Sequence, residues 1–271
     1  MKAQKKLTLT IAGSGNAGTF LTSILFNSGC QIKQVYSKTY DNALKLAHKV
    51  KAQAINQIND FDPDCDLLII ALPDIVIPGF CEELSKIKGF ENVSIASVAG
   101  SVDLEKITKY FKNAGVLYPV QSFTLNTRPN ADNIPICIEA SNENTKQLIR
   151  EVGGMISKDL RYLDSNQRTS LHLAAVFACN FTNHLIAVAD EILMQAGIEK
   201  DILMPLIHET INRLDTNEAI KMQTGPAIRM DWATLDTHKA LLEKYGNKRL
   251  KEIYSLLSEN IIKFNTGQGD N

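Results

Sequence analysis

A glycine-rich turn directly after an N-terminal apolar run constrains this chain more than any other feature of its sequence. Residues 7–12 read LTLTIA, in which threonines alternate with apolar residues as they do in a β-strand. Glycines then follow at positions 13, 15 and 18, and a helical pattern begins within the same stretch. A strand, a GxGxxG turn and a helix in this order predict that the chain opens with a βαβ unit.

The chemistry of such a turn favours a bound pyrophosphate. The N-terminal end of a helix presents free N–H groups and a positive dipole end, which attract phosphates. Gly13 permits the tight turn, Gly15 lets the phosphates approach the backbone, and Gly18 lets the helix pack on the strand. The alternative is a glycine-rich corner without a ligand. We expect a dinucleotide to be held here by Gly13, Ser14, Gly15, Asn16, Ala17 and Gly18.

The end of the second predicted strand distinguishes between the possible dinucleotides. An NAD site usually has an aspartate or glutamate there for the ribose hydroxyls. This chain reads VYSKT at 35–39 and has no acid in that stretch. Ser37 and Lys38 could hold a 2′-phosphate instead, so we expect NADP rather than NAD. An exposed turn without a ligand is the alternative for these two residues.

The period of the apolar pattern divides the chain into two parts. Strand and helix patterns alternate up to about residue 160, and helical patterns alone follow. We therefore predict an α/β Rossmann domain with a mostly parallel, doubly wound sheet over 1–160, and an all-α domain over 161–271. In the second part, one long helix is expected to end at Gly197.

Two further strand ends are expected to face the dinucleotide. The loops at the carboxyl edge of such a sheet line its ligand site. The apolar run DLLIIALP ends in Leu72 and Pro73, and the run NVSIASVAG carries Ser97 among small residues. We expect these three residues to contact the cofactor. Ordinary loop packing is the alternative.

Composition and cysteine spacing exclude several classes of function. The chain has 271 residues, a formal net charge of −1 and 44% apolar residues, which does not indicate a nucleic-acid partner. Uninterrupted apolar runs are shorter than a membrane span needs. The five cysteines and five histidines are scattered without metal-ligand spacing. We therefore expect a cytoplasmic protein with reduced thiols, no metal and no membrane partner.

The long helix carries polar side chains among apolar ones. His172 shares one helical stripe with Val176, Cys179 and Asn183, and Asn180 lies on the flank of that stripe. A helix this apolar is expected to be buried between domains or subunits. Its polar groups then need partners, either within the protein or from a ligand in a cleft.

The whole chain resembles the Rossmann-like proteins that carry a DUF2520 C-terminal domain. These are similar to pyrroline-5-carboxylate reductase and to F420-dependent NADP reductases. The resemblance implies a dinucleotide-binding domain, a helical dimer-forming domain and NADP-dependent oxidoreduction of a small-molecule substrate. The family commonly has histidine where this chain has Tyr118, and a small residue where it has Met230. The motifs that carry the resemblance are GSGNAG at 13–18, YPVQSFT at 118–124, HLAAVFACNF at 172–181 and TGPAIRMD at 224–231.

The long helix lacks a lysine, which disfavours a lysine-driven interconversion of an alcohol and a ketone. Related β-hydroxyacid dehydrogenases and ketopantoate reductases use a lysine of this helix as acid and base, and this chain has none between Lys158 and Lys200. We expect His172 to serve as the acid where one is needed. Asn180 and Gln121 are expected to orient the substrate. Arg229 is expected to clamp a carboxylate or phosphate, and a local ion pair within its turn is the alternative.

Two classes of function therefore remain open. The first is an NADP-dependent oxidoreductase that moves a hydride to or from a small C=N or C=O substrate or a second cofactor. The second is a dinucleotide-binding redox sensor or interaction protein without turnover. A methyltransferase is disfavoured because the acid that commonly binds the ribose of S-adenosylmethionine is missing after the second strand.

Overall fold

The computed structural model describes residues 6–124, 130–246 and 248–267. The chain divides into two compact units, residues 1–180 and 181–271. The boundary predicted after residue 160 falls inside the last strand of the sheet, Leu160–Tyr162, and the helix that follows is grouped with the sheet up to residue 180.

The first unit is built on one eight-stranded sheet. Its strands follow the spatial order β3-β2-β1-β4-β5-β6-β7-β8, and every neighbouring pair is parallel except β6 and β7. Crossovers run in opposite directions from β1, so the sheet is doubly wound. The strands are β1 Thr8–Ala12, β2 Gln31–Tyr36, β3 Gln53–Ile55, β4 Leu67–Ile70, β5 Ser94–Ser97, β6 Ala114–Pro119, β7 Ile136–Ala140 and β8 Leu160–Tyr162.

Helices cover both faces of this sheet. Along β4, Leu67 and Ile69 belong to one buried cluster, and Leu68 and Ile70 belong to the other. This alternation explains the uninterrupted apolar run, because a central parallel strand buries both of its faces. The α-helices of this unit are α1 Asn16–Asn27, α2 Tyr40–Val50, α3 Ile77–Leu84, α4 Glu105–Thr108, α5 Glu143–Gly154 and α6 Ser165–Ala175. Short 3-10 helices lie at Ile58–Asp60, Asp74–Val76, Phe90–Asn92 and Ala131–Asn133.

The predicted fold class is confirmed, with local differences. Strands β3 and β8 were not expected, because three residues are too few to show an alternating pattern. Strand β7 runs antiparallel to β6 since no described helix of more than one turn joins them, and parallel neighbours need a longer crossover. The segment 101–114 has a helical sequence pattern but forms only the single helical turn α4.

The long helix of the second half is present but is not uniform. After α6 it continues through a π-helical segment, Val176–Phe181, into α7 at Thr182–Gln195. Gly197 follows with a φ of +70°, which agrees with the predicted stop. The sequence contains no uninterrupted apolar run of membrane-spanning length. The helix Ser165–Gln195 nevertheless is long and apolar enough to cross a membrane, by length and composition only.

The second unit is helical and has little core of its own. Its described residues that are buried are Ala227, Leu235, Leu242 and Ser258. Many of its large apolar side chains are exposed instead, including Met194, Ile202, Leu206, Leu256 and Phe264. Its α-helices are α7, α8 Met204–Asn212, α9 Trp232–Lys244 and α10 Lys248–Thr266, with 3-10 helices at Lys200–Leu203, Arg213–Asp215 and Ala219–Met222.

A fully buried arginine attaches helix α6 to the sheet. Two nitrogens of the Arg168 guanidinium donate to Oε2 of Glu139 on β7, at 2.6 and 3.1 Å. Another donates to the carbonyls of Gly100 and Val102, in the loop after β5, at 2.9 and 3.1 Å. The Ser165 hydroxyl accepts from Arg168 and donates to Glu139. One cation thereby joins a helix, a strand and a loop.

Replacing Arg168 is expected to destabilise the protein strongly. Arg168→Met keeps an apolar stem of similar length but leaves the Glu139 carboxylate and two buried carbonyls without their donor. Removing one partner of a buried pair costs roughly 3–5 kcal/mol. Urea unfolding followed by circular dichroism measures the change in the free energy of unfolding.

Arg161→Met provides the matched control. Arg161 pairs with Asp159 at 2.8 Å, but the Arg161 side chain is largely exposed and that of Asp159 is partly exposed. Exposed ion pairs contribute at most about 1 kcal/mol. Equal losses in the two variants would contradict the role assigned to Arg168.

Candidate functional site

The glycine turn is held by the packing of its backbone. Gly13 has a φ of +123°, and a Cβ atom there would lie 2.1 Å from the carbonyl oxygen of Ala71. A Cβ atom at Gly18 would lie 2.1 Å from the carbonyl oxygen of Gly13. Both glycines are therefore required by the protein itself, for the turn conformation and for the contact between turn and helix.

Gly15 differs from its neighbours because no protein atom requires it. A Cβ atom there would have nothing within 4 Å, and its φ of −70° suits any residue. It lies directly before α1, whose first N–H groups have no acceptor within the helix. The open space at this helix end fits the predicted approach of a pyrophosphate.

Ser37 and Lys38 lie beside this turn. The Gly13 N–H donates to the carbonyl of Tyr36 at 2.9 Å, which joins the turn to the end of β2. The Ser37 N–H donates to the carbonyl of Ile55 at 3.2 Å. Lys38 follows as an exposed side chain. Both residues therefore lie at the end of β2 beside the glycine turn, and their contact with a 2′-phosphate stays a prediction.

The other residues expected to contact the cofactor differ in exposure. Leu72 is half-buried and packs on the sheet core, while Pro73 is exposed. Ser97 is fully buried, and its hydroxyl accepts from the Ala99 N–H at 3.1 Å. The nearby Ser101 hydroxyl donates to the Asp74 carboxylate and joins the loops after β4 and β5. Ser97 therefore supports a loop, whereas Pro73 is accessible.

Three of the four predicted catalytic residues line one cavity. Gln121, His172 and Asn180 lie around a space of about 250 Å³ between the end of β6 and the long helix. The lining combines apolar surface with several polar side chains, and none of its described residues is a carboxylate, lysine or arginine. Its members are Tyr118, Val120, Gln121, Ser122, His172, Ala175, Val176, Cys179 and Asn180.

Tyr118 and His172 form the best-defined contact in this cavity. The Tyr118 hydroxyl lies 3.5 Å from Nδ1 of His172, and the two rings meet edge to face with centroids 6.3 Å apart. Burial raises the pKa of the Tyr118 phenol. A Cβ atom at Gly100 would lie 2.6 Å from the Tyr118 ring, so the loop after β5 packs directly on that ring.

The π-helical segment explains why Asn180 reaches the cavity. In a regular helix Asn180 lies on the flank of the His172 stripe. A π-helical turn holds more residues than an α-helical turn, so the segment rotates Asn180 toward that stripe. Such segments are frequent at functional sites. Sequence periodicity gives no signal for this change of register.

The loop that carries Gln121 and Ser122 is attached to helix α1. Nδ2 of Asn16 donates to the carbonyl of Phe123 at 3.0 Å. The Phe123 ring packs on Phe20 with centroids 4.8 Å apart. The side chain of Asn16 thus supports the cavity loop, and its backbone N–H remains at the helix end where a phosphate is expected.

Arg229 lies in the second unit, exposed on the turn before α9. Met230 has a φ of +53°, in the left-handed region that favours glycine over larger residues. Asp231 caps α9 by accepting from the N–H and hydroxyl of Thr234 at 3.1 and 2.7 Å. These bonds, together with the charge of Arg229, lower the pKa of the Asp231 carboxyl.

Sequence reasoning did not select every residue of the cavity. Tyr118 was noted only as a departure from the family, and Ser122 and Cys179 were not proposed as site residues. The motif at 118–124 contains the signal for the first two. Their proximity to the long helix depends on tertiary packing.

Two glycine variants are expected to separate binding from folding. Gly15→Ala fills open space, so its free energy of unfolding should stay within about 0.5 kcal/mol of wild type. The added methyl group would lie where the phosphates approach, so the Kd for NADPH should rise about 10-fold or more, equivalent to about 1.4 kcal/mol. Titration with NADPH followed by nicotinamide fluorescence measures the affinity.

Gly13→Ala is the contrasting variant. Its Cβ atom meets the Ala71 carbonyl, and its backbone conformation alone costs an alanine about 1–2 kcal/mol. We expect a clear loss of stability in urea unfolding. Unchanged NADPH affinity in Gly15→Ala would show that this turn does not hold the pyrophosphate.

Comparisons with known proteins agree with this architecture. A family model described as "Domain of unknown function (DUF2520)" matches residues 134–261. The crystal structure of a Bacteroides fragilis protein, assigned as an NADP oxidoreductase, is 33% identical. The match covers 95% of this chain and 98% of that chain, with a TM-score of 0.88. A search of curated proteins found no match.

More distant structures share the fold. Pyrroline-5-carboxylate reductase from Coxiella burnetii is 15% identical, with a TM-score of 0.58 over 98% of this chain and 100% of that chain. A reductive aminase from Aspergillus terreus, solved with NADPH and ethyl-5-oxohexanoate, is 16% identical. Its TM-score is 0.72 over 98% of this chain and 97% of that chain. The names of all three proteins describe oxidoreductases. The chain therefore belongs to the Rossmann-like proteins with a DUF2520 C-terminal domain.

Proposed function

We propose that this protein is an NADP-dependent oxidoreductase that reduces a small C=N or C=O substrate, or exchanges a hydride with a second cofactor. The observation that carries the proposal is the bond from Asn16 to Phe123. It attaches the loop that carries Gln121 and Ser122, which line the cavity, to the first residue of the helix that follows the glycine turn. A dinucleotide site and a substrate-sized cavity thereby share one structural support.

The residues around the turn fit NADP(H). Gly15 leaves room for the pyrophosphate, and the helix end supplies N–H groups. Lys38 and Ser37 would bind the 2′-phosphate through charge and hydrogen bonds. NADPH, when bound, supplies the hydride that reduces the double bond. Its presence in the Aspergillus terreus reductive aminase supports the same cofactor here.

The cavity supplies hydrogen bonds rather than fixed charge. Gln121 and Asn180 can each donate to and accept from a substrate heteroatom through their amides. His172 can donate a proton to the nitrogen or oxygen of the double bond as its carbon gains the hydride. Water can return that proton to the imidazole. Arg229 remains a predicted substrate-binding residue of the helical unit.

Turnover of a substrate panel tests this function. NADPH consumption should accelerate with imines, with ketones mixed with amines, with keto acids, or with flavin or F420 acceptors. With the accepted substrate, His172→Gln should lower kcat by roughly 10²-fold or more because the acid is lost, while NADPH affinity stays at the wild-type value. Absorbance of the reduced nicotinamide measures the rate.

A charge-reversal variant tests the preference for the phosphorylated cofactor in the same assay. Lys38→Glu should weaken NADPH more than NADH, whereas Lys49→Glu, on the exposed side of α2, should change neither. Tight NADPH binding without turnover across the panel would favour the redox sensor or interaction protein. A wild-type preference for NADH would overturn the role of Ser37 and Lys38.

We also propose that the helical unit forms a homodimer. Its described residues contribute few buried side chains, so it lacks the core that a unit of this size needs. Exposed apolar side chains lie along α7, α8 and α10, among them Met194, Leu206 and Leu256. An exposed apolar surface beyond that of ordinary monomers indicates an interaction site. A second copy of the chain would bury this surface and also the apolar face of the long helix. The five cysteines are free thiols, which fits a protein of the reducing cytoplasm.

Light scattering after size-exclusion chromatography tests the dimer. Leu256 on α10 is 66% exposed, and Leu256→Glu should shift the protein from dimer to monomer because a charge would be buried in the interface. Leu44→Glu, on α2 of the first unit, is the control and should remain dimeric. A monomeric wild type would refute the proposal. If the wild-type protein can be purified only with detergent, the exposed apolar side chains would instead contact a membrane.

A further inference from the structure

The contact between Tyr118 and His172 has a chemical consequence beyond packing. A neutral imidazole carries hydrogen on one ring nitrogen and accepts at the other. The group that faces Nδ1 therefore decides which nitrogen offers hydrogen to a ligand. In this structure the group 3.5 Å from Nδ1 is the Tyr118 hydroxyl.

We propose that Tyr118 is a positioning residue that donates its hydroxyl hydrogen to Nδ1 of His172 and thereby holds the imidazole in the tautomer with hydrogen on Nε2. Its catalytic consequence rests on the proposed reductase function. The neutral imidazole then presents Nε2–H toward the cavity. To act as the acid of the proposed reaction, the imidazole takes up a proton from water at Nδ1, where the Tyr118 hydroxyl turns to accept, and gives up the proton of Nε2.

The direction of this hydrogen bond follows from the surroundings of the phenol. Tyr118 is buried on β6, and burial raises the pKa of its phenol, so the hydroxyl keeps its hydrogen at neutral pH. A protonated phenol is a good donor to an imidazole nitrogen. The hydroxyl could instead accept from a protonated Nδ1, which is the arrangement that the experiment below would detect.

The two rings are held in place from both sides. Tyr118 is paired with Cys137 across the sheet, and its ring packs against Gly100. His172 lies on α6, which Arg168 attaches to the loop that carries Gly100. The same loop therefore contacts the tyrosine directly and the histidine helix through the buried guanidinium. This arrangement limits the freedom of both partners before a ligand binds.

Nitrogen NMR of the histidine side chains tests the tautomer without any substrate. The probe is the full-length protein labelled with ¹⁵N-histidine, recorded at a pH of about 8 where ordinary imidazoles are neutral. The His172 signals are identified by their loss in His172→Gln. We expect the wild type to show His172 with hydrogen on Nε2, and Tyr118→Phe to show a mixture of both tautomers.

The chain provides its own control for this measurement. In the helical unit, Nδ1 of His238 lies 2.7 Å from the Tyr254 hydroxyl. Tyr254→Phe should alter the His238 signals and leave those of His172 unchanged. Tyr118→Phe should do the reverse. Tyr118→Phe is expected to fold because phenylalanine keeps the ring that packs on Gly100. If Tyr118→Phe does not fold, the spectrum of the wild type still tests the proposal.

Two results would overturn the proposal: a wild-type His172 with hydrogen on Nδ1, or a tautomer that Tyr118→Phe leaves unchanged. Once the panel has identified a substrate, Tyr118→Phe should lower kcat about 10-fold with KM and NADPH affinity near wild type. If no substrate of the panel is turned over, the reductase function is refuted. The NMR result still decides whether Tyr118 donates to His172. The two failures are therefore distinguishable.

Discussion

The buried guanidinium of Arg168 is the interaction on which the candidate site depends. Burying a charge is costly, and Arg168 is satisfied by a carboxylate on β7 and by two carbonyls of the loop after β5. Those partners come from two segments that are separate in the sequence, so the network forms only when β7 and the loop after β5 are both in place. His172 lies one turn further along the same helix. The cavity wall is thus placed by an ion pair that takes no part in binding.

The sequence was sufficient to predict the parts of the structure that depend on local backbone requirements. Gly13 and Gly18 are needed wherever this turn occurs, because a Cβ atom at either would overlap a carbonyl oxygen. The buried strand β4 is recognisable because both of its faces pack against apolar clusters. These repeated units predict a mostly parallel, doubly wound sheet, whereas the order of its eight strands is visible only in the structure.

Residues whose roles depend on tertiary contacts were less predictable. Asn16 reads as part of the phosphate turn, yet its side chain supports the carbonyl of Phe123 more than 100 positions away. The π-helical segment changes which side of the long helix Asn180 occupies, and no periodicity in the sequence marks it. Met230 occupies a left-handed conformation that normally favours glycine, so its strain is visible only in the structure.

In the proposed function, the first turn of α1 has two separate uses. Its backbone N–H groups point out of the helix end, where an anion is stabilised by their dipoles. The side chain of its first residue, Asn16, is directed to the loop that carries Gln121 and Ser122. Because a helix end is rigid, the glycine turn and the cavity loop are held at fixed positions relative to each other. The distance over which a hydride can move is short, so a fixed relation between the phosphate turn and the cavity wall is what reduction of a bound double bond requires.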